Sequence, residues 1–328
     1  MQRIGLVGRG FMARVHARRY AAAADARVVG VASPSGPEEF VESFVPEATA
    51  YKDVSVMFDE VDLDAVDICT PTDTHHNLVI EAARRGFDVR CEKPLARTLT
   101  DACAVREAVE DADVACLIGH VTRFFPAYAR AKERIDAGEI GDVGNVRTVR
   151  RSPVTDLSDW FGDRERSGGT LLDLAIHDFD FLRWVCGDIE RVFARRSAWD
   201  EAETTLTTLR FVNGTVGHVD ARWTDTPGAT FSAGFELSGD AGLIEHDTAD
   251  STPLELHTTT DYLDESELGI PLERDPYQRQ IDHFLDCVRG DDDPRVTIND
   301  AIATLRVSLA ALESADRRVP VTIADVTS

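Results

Sequence analysis

Two kinds of hydrophobic spacing divide the chain. Up to His120, short apolar runs at 4–7, 27–33, 65–70, 89–91 and 114–120 predict strands. Between them, 13–19, 37–44, 51–60, 75–86 and 100–111 have helical spacing. In 75–86 the apolar positions are Leu78, Ile80, Ala82 and Ala83, and Gly86 stands where a helix would end. Strands alternating with helices of about a dozen residues predict a parallel, doubly wound α/β sheet. Beyond His120 the rhythm changes. A helix is expected over 126–137, a strand over 143–151, and a helix opened by Gly168-Gly169 and running to about Cys186. From 189 to 257 several segments alternate apolar and polar residues, and Asn213-Gly214 between two of them is a strong hairpin signal. This predicts an α+β domain with an open, mainly antiparallel sheet and one helical layer. Two helices near 276–289 and 298–316 close the chain. The expected division is a first domain over 1–121 and a second over 122–328, with no internal repeat and no low-complexity linker.

Length supports this division, because 328 residues can build two domains with proper cores. No apolar run approaches the roughly 20 residues that span a bilayer. The first strand follows the N-terminus directly, so a cytoplasmic chain without a signal peptide is expected. The six cysteines, at 69, 91, 103, 116, 186 and 287, form no C-x-x-C pair and read as buried reduced thiols.

Charge changes the picture more. The formal net charge is -24, and the 35 basic residues include only three lysines, Lys52, Lys93 and Lys132. The acidic residues recur along the whole chain, so this is not an acidic tail. Such self-repulsion costs compactness unless salt screens it, and the composition reads as that of a protein working in concentrated salt. Nucleic acid and anionic membrane are excluded as partners on the same ground.

The most informative stretch is 4–19. Ile4, Leu6 and Val7 form a short strand, Gly8-Arg9-Gly10-Phe11-Met12-Ala13 follows at once, and a helix continues from Ala13. Strand, glycine turn and helix give a G-x-G-x-x-[GA] string the context of a dinucleotide site, although a glycine-rich turn in any α/β protein can carry the same string. Gly8 allows the tight turn, Gly10 lets the backbone approach a pyrophosphate, and Ala13 lets the helix pack on the strand. The phosphates would then lie at the helix N-terminus, where unpaired N–H groups point at them.

Four stretches together resemble the Gfo/Idh/MocA oxidoreductases. They are Gly8 to Ala13, Thr70-Pro71-Thr-Asp-Thr-His75, Cys91-Glu92-Lys93-Pro94, and Gly168 to Asp178 with Asp173 and His177 inside it. Residues 277–318 are similar to the closing helices of that family. The resemblance implies an N-terminal Rossmann domain, a C-terminal open-sheet domain and a nicotinamide cofactor. It does not imply a substrate.

Oxidising an alcohol carbon needs a base for the hydroxyl proton and a positive group for the developing alkoxide. Lys93 suits the second role. It stands where a parallel strand ends, at the edge where such sheets bind ligands, and the resemblance implies a cis bond to Pro94. Asp173 and His177, four apart on one predicted helix, would share a face. His177 can accept the proton, and Asp173 can hold a neighbouring hydroxyl or orient the base. In the family, residues at these positions contact the reacting hydroxyl together with the lysine. An Asp/His pair at this spacing also suits a metal, but no third ligand of obvious spacing accompanies it, so none is expected.

Thr70, Pro71 and Glu92 end strands and should line the cofactor cleft. His75 matches a family histidine, and it also suits a polar residue opening the next helix. Arg123 is expected near the nicotinamide. Trp160-Phe161 can cover the substrate or pack against the second domain. One departure stands out. Rossmann domains that take NAD usually end the second strand in Asp or Glu, and here that place falls on Ser33. Without that carboxylate a 2′-phosphate is not repelled, and Arg9 can reach it. NADP is the expected cofactor, with NAD as the other possibility and with Glu38 and Glu39 opposing NADP if they approach.

The sequence thus reads as an NAD(P)-dependent oxidoreductase acting on a secondary alcohol of a sugar, polyol or related carbohydrate. A non-catalytic NAD(P)-binding regulator and an NAD-dependent glycoside hydrolase of the same fold are the competing readings. A homo-dimer or homo-tetramer paired through the open sheet is expected. The charge makes its own prediction. Melting temperature and activity should both rise from low to molar KCl, and a melting curve unchanged over that range removes the salt-adapted reading.

Overall fold

The run Ile4-Gly5-Leu6-Val7, buried on all four residues, lies at the middle of the first sheet in the computed structural model. The structure describes residues 1–154, 163–199, 202–226, 228–248, 254–258, 262–264 and 275–327. The first stretch of chain folds as β1 (Gln2–Val7), α1 (Phe11–Ala22), β2 (Ala26–Ala32), α2 (Pro37–Phe44), β3 (Thr49–Tyr51), α3 (Val54–Glu60), β4 (Ala65–Ile68), α4 (His75–Arg84), β5 (Asp88–Cys91), α5 (Leu99–Ala112) and β6 (Cys116–Ile118). The strands are parallel in the order β3-β2-β1-β4-β5-β6. The order reverses between β1 and β4, and in open α/β sheets ligands bind beyond the strands' carboxyl ends at such a switch point. The loops after β1, β4 and β5 all leave from that edge.

One predicted boundary differs. Residues 51–60 were expected as a single helix. Tyr51 instead ends β3, and α3 starts at Val54 behind Asp53, whose carboxylate accepts from the Ser55 N–H at 2.8 Å. Three residues are too few for an alternation to be read. β3 exists because Thr49, Ala50 and Tyr51 pair with Gly30, Val31 and Ala32 of β2.

The second sheet follows α6 (Pro126–Asp136) and begins with β7 (Val143–Pro153). The helices α7 (Arg164–Ser167), α8 (Thr170–Asp173) and α9 (Ile176–Cys186) come next. Then come β8 (Ile189–Trp199), β9 (Ala202–Phe211), β10 (Val216–Thr224), β11 (Ser232–Gly239), β12 (Gly242–Asp247), β13 (Leu254–Thr258) and β14 (Tyr262–Asp264). After α10 (Pro276–Arg289) and α11 (Ile298–Arg317), β15 (Val321–Thr322) adds an edge. The order is β14-β13-β12-β11-β7-β10-β9-β8-β15, antiparallel except between β7 and β10. The Asn213-Gly214 turn joins β9 to β10 as expected: the Asn213 Oδ1 accepts from the Thr215 N–H, and Gly214 has φ +94°. Along β9, Thr205, Thr207, Leu209 and Phe211 are buried while Leu206 and Arg210 are exposed, as expected of a sheet covered on one face.

A buried ion pair fastens α9 to this sheet. Arg150 of β7 donates to both oxygens of Asp178, at 2.9 and 3.1 Å, and also meets the Tyr128 hydroxyl. Tyr128 in turn packs edge-on against Phe181 and Phe235, with ring centres 4.7 and 4.9 Å away.

The chain forms two compact units, one of 1–124 with 274–302 and one of 125–273 with 303–328. The expected single cut after residue 121 does not contain this return. It arises because α10 packs on α1 and on the turn at Val121–Phe124.

The β1–α1 turn makes two glycines separable. Gly8 has φ +108°, and a Cβ there would lie 2.4 Å from the Cys69 carbonyl oxygen. Gly10 has φ -70°, and its Cβ would meet nothing within 4 Å. Gly8→Ala should therefore lose at least about 1–3 kcal/mol of stability, since both strain and overlap act. Gly10→Ala should stay within roughly 0.5 kcal/mol of the parent. Urea unfolding of both variants checks this, and equal losses contradict it.

Candidate functional site

After β1, the Gly8 N–H donates to the Ala32 carbonyl and extends the pairing with β2 by one more bond. Gly10 caps α1, and the Gly10 carbonyl accepts from the Arg14 N–H as the first intrahelical bond. The N–H groups of Phe11, Met12 and Ala13 have no partner within the helix, the usual state of a first turn. Arg9, Gly10 and Phe11 are exposed, Met12 is half-buried and Ala13 is fully buried. The turn thus presents donors and open space together, which fits a pyrophosphate.

After β2 the structure refines the expectation for Ser33. Its side chain is buried, its N–H donates to the Tyr51 carbonyl, and its hydroxyl donates to the Ser35 carbonyl at 3.1 Å. The hydroxyl that meets Arg9 belongs to Ser35: the Arg9 Nε donates to the Ser35 Oγ at 3.3 Å. Gly36, with φ +55°, lets the guanidinium lie close, since a Cβ there would be 3.1 Å from the Arg9 Nη1. Arg9 therefore folds over the loop that follows β2, and Glu38 faces Lys52 at 3.7 Å. The sequence reading singled out Ser33 and missed Ser35 as the partner of Arg9.

After β4 and β5, Thr70 and Pro71 are half-buried at the strand edge, and Thr74 donates to the Pro71 carbonyl at 2.7 Å. His75 is buried between the two loops. Its Nδ1 lies 2.7 Å from the Pro94 carbonyl and its Nε2 lies 2.8 Å from the Thr70 carbonyl. Burial holds the imidazole below its ordinary pKa even though both carbonyls pull the other way. The ring thus ties the Thr70-Pro71 loop to the Lys93-Pro94 loop, whose peptide bond is cis. Within 89–96, Lys93 alone is not buried. Arg123, expected near the nicotinamide, is buried. Its Nη1 donates to the Arg295 carbonyl at 3.0 Å and to the Asp300 carboxylate at 3.2 Å, inside the first unit.

Behind these loops lies a charged cluster that the sequence did not reveal. Asp67 of β4 and Arg90 of β5 are register partners, and both are fully buried. The Arg90 Nη1 donates to the Asp67 Oδ1 at 3.0 Å, and the Arg90 Nη2 donates to the Glu92 Oε1 at 3.0 Å and to the Gln280 Oε1 of α10. From α1, the His16 Nδ1 lies 2.9 Å from the Asp67 Oδ2, and the Tyr20 hydroxyl donates to that oxygen at 3.0 Å. Burial alone would raise the Asp67 carboxyl, but His16 and Arg90 hold it well below the usual carboxylate range. His16, Asp67 and Cys69 also place three ligand atoms within 4.8 Å of one another. The Arg90 guanidinium, 3.1 Å from the His16 Nδ1, already supplies the positive charge that a metal ion would bring there.

In the second unit, the expected single helix carrying Asp173 and His177 is two. α8 ends at Asp173 and α9 starts at Ile176. The break replaces the regular bonds: the Ala175 N–H reaches back to Thr170 at 2.8 Å, and the His177 N–H reaches only to Leu174 at 3.3 Å. Asp173 is buried. Within 167–182, His177 is the one residue that is not buried. Trp160 and Phe161 lie outside the described residues.

Comparison with known proteins agrees with this arrangement. Residues 2–120 match the oxidoreductase family with an NAD-binding Rossmann fold, and 128–245 match the GFO/IDH/MocA C-terminal domain. The chain is 30% identical to the scyllo-inositol 2-dehydrogenase (NAD(+)) of Bacillus subtilis, over 97% of its own length and 95% of that protein's. It is 30% identical to the myo-inositol 2-dehydrogenase of Thermotoga maritima, over 99% of each. A crystal structure of a probable dehydrogenase from Thermotoga maritima superposes with a TM-score of 0.84 at 30% identity, covering 99% of this chain and 100% of that one. Levoglucosan dehydrogenase in complex with NADH and L-sorbose superposes with a TM-score of 0.86 at 25% identity, covering 98% and 99%. The chain belongs to the GFO/IDH/MocA family of oxidoreductases, an NAD-binding Rossmann domain followed by that family's C-terminal domain.

Proposed function

We propose that this chain oxidises a secondary alcohol of a polyol or sugar, with Lys93, Asp173 and His177 acting on one hydroxyl. The observation that carries this reading is shared by two separate segments: each is buried throughout except for a single titratable side chain, Lys93 in one and His177 in the other. Relatives named as inositol and levoglucosan dehydrogenases support the substrate class. No observation favours the regulator or the glycoside hydrolase over the dehydrogenase.

The glycine turn and the α1 N-terminus fit a dinucleotide pyrophosphate, because Gly10 opens onto space that a side chain would fill. A bound nicotinamide supplies the acceptor for the hydrogen and electron pair that leave the carbon. His177 takes the hydroxyl proton on a ring nitrogen. The Lys93 ammonium stabilises the negative charge that grows on the oxygen. Asp173 holds a neighbouring hydroxyl or fixes the His177 ring. His75, whose ring lies between the two loop carbonyls, packs the Lys93-Pro94 turn against the Thr70-Pro71 loop.

The 2′-phosphate of NADP is the finer part of the cofactor reading. Arg9 and Ser35 face each other beyond β2, where Ser33 replaces the usual carboxylate, and Glu38 is turned to Lys52. The Bacillus relative is named for NAD(+), so the two cofactors must be compared directly. Pairing of two or four copies through the uncovered face of the second sheet completes the proposal. Among the described residues no helix is long and apolar enough to cross a membrane.

Two experiments test this reading, both with myo-inositol, scyllo-inositol and levoglucosan in molar KCl. Lys93→Met should lower kcat roughly 10²–10³-fold and His177→Ala ~10²–10⁴-fold, with NAD+ binding retained in His177→Ala. The double variant should be far less than multiplicatively worse. A His177→Ala enzyme with near-parental kcat contradicts the assignment. For the cofactor, Ser33→Asp should shift the ratio of kcat/KM for NADP over NAD toward NAD. A parent that already prefers NAD strongly removes the role given to Arg9.

A further inference from the structure

Lys93 needs more than a strand end to be useful, because a lysine carries four rotatable bonds and its aim depends on the backbone beneath it. The peptide run Glu92-Lys93-Pro94 is held on both sides. On the Pro94 side, the His75 Nδ1 lies 2.7 Å from its carbonyl. On the Glu92 side, the Glu92 N–H donates to the Ile68 carbonyl at 2.9 Å, and the carboxylate is gripped by the Arg90 Nη2 at 3.0 Å and faces the His16 Nε2 at 3.5 Å. Gly119 fits against the same residue, since a Cβ there would lie 3.1 Å from the carboxylate and 3.2 Å from the Glu92 Cα.

We propose that Arg90 and Asp67 are positioning residues for Lys93. Arg90 spans from the Asp67 carboxylate on β4 to the Glu92 carboxylate next to the lysine, and Asp67 fixes its planar fork from the other side. His16 and Tyr20 fix Asp67 from α1, the helix that the glycine turn opens. The cluster therefore joins β4, β5 and α1, the elements from which the carboxyl-edge loops run, and reaches Glu92 just beyond β5. An apolar pair at 67 and 90 would fill the sheet interior but leave the Glu92 carboxylate, Tyr20 and Gln280 buried without these partners. It could not hold a carboxylate beside Lys93. This inference rests on the reading of Lys93 as the alkoxide-stabilising group, and its test separates the two.

The chain's three lysines make the test direct. Reductive methylation with ¹³C-formaldehyde gives one NMR signal each for Lys52, Lys93 and Lys132 beside the terminal amine, and Lys93→Arg assigns the second. Asp67→Asn keeps the shape of the side chain and removes its charge. Arg90→Gln removes the fork, and Gln280→Met removes one partner of Arg90 without a charge change if Arg90→Gln fails to fold. In each folded variant the Lys93 signal should move while those of Lys52 and Lys132 stay. With the fastest of the three polyols, kcat should fall about tenfold or more, as expected when a reacting group is displaced. The NAD+ dissociation constant by calorimetry should stay within about threefold, since the loss lies in the reacting step. Adding Lys93→Met to Asp67→Asn should bring kcat no lower than Lys93→Met alone. An unmoved Lys93 signal in Asp67→Asn overturns the proposal, as does a parental kcat in a folded variant. A parental kcat in Lys93→Met would instead overturn the catalytic reading, while the lysine signals still report whether the cluster positions that side chain.

Discussion

A guanidinium in the middle of a parallel sheet cannot be left alone. Arg90 is fully buried, and burial by itself would lower its pKa; Asp67 and Glu92 more than offset that, so the guanidinium is held above its ordinary value. Removing one member of such a group typically costs about 3–5 kcal/mol, because the other charge stays buried without a partner. The cluster therefore acts as a unit. It fixes the register of β4 against β5, receives α1 through His16 and Tyr20, and receives α10 through Gln280. The segment 274–302, which returns to the first unit, adds to the group through the Gln280 acceptor.

Much of this was legible in the sequence, and the misses have physical causes. The glycine turn was readable because part of its requirement is local: Gly8 takes a φ of +108° that residues with side chains rarely adopt. The hairpin at Asn213-Gly214 and the closing helices were readable for the same reason, each being specified within a few residues. The charged cluster was not readable. Its members pair across 23, 51 and 190 residues, and an aspartate and an arginine in separate apolar strands announce nothing about each other. The break between α8 and α9 escaped because Gly169 to Cys186 has continuous apolar spacing. The bonds from Ala175 back to Thr170 and from His177 to Leu174 interrupt the ladder without changing that spacing. The end of β2, just before Ser33, can be counted from the sequence, whereas the contact of Ser35 with Arg9 depends on how the loop folds.

The two units are built differently. The first supplies rigid donors: loops leaving one sheet edge, tied to one another by buried polar contacts. The second supplies a broad sheet, with α9 fastened to β7 by the Arg150–Asp178 pair one residue from His177. Both candidate reacting groups thus emerge from segments whose other side chains are buried. That placement presents one polar group from a rigid segment, and preorganised groups of this kind stabilise developing charge most effectively.

The central claim is that Lys93 and His177 act on one hydroxyl, and a crystal structure of the His177→Asn variant with NAD+ and myo-inositol tests it most directly. The account predicts one inositol oxygen within about 3 Å of both the Lys93 Nζ and the side chain at 177, with its carbon facing the nicotinamide. An inositol bound at the nicotinamide with its nearest hydroxyl held by other groups would contradict it.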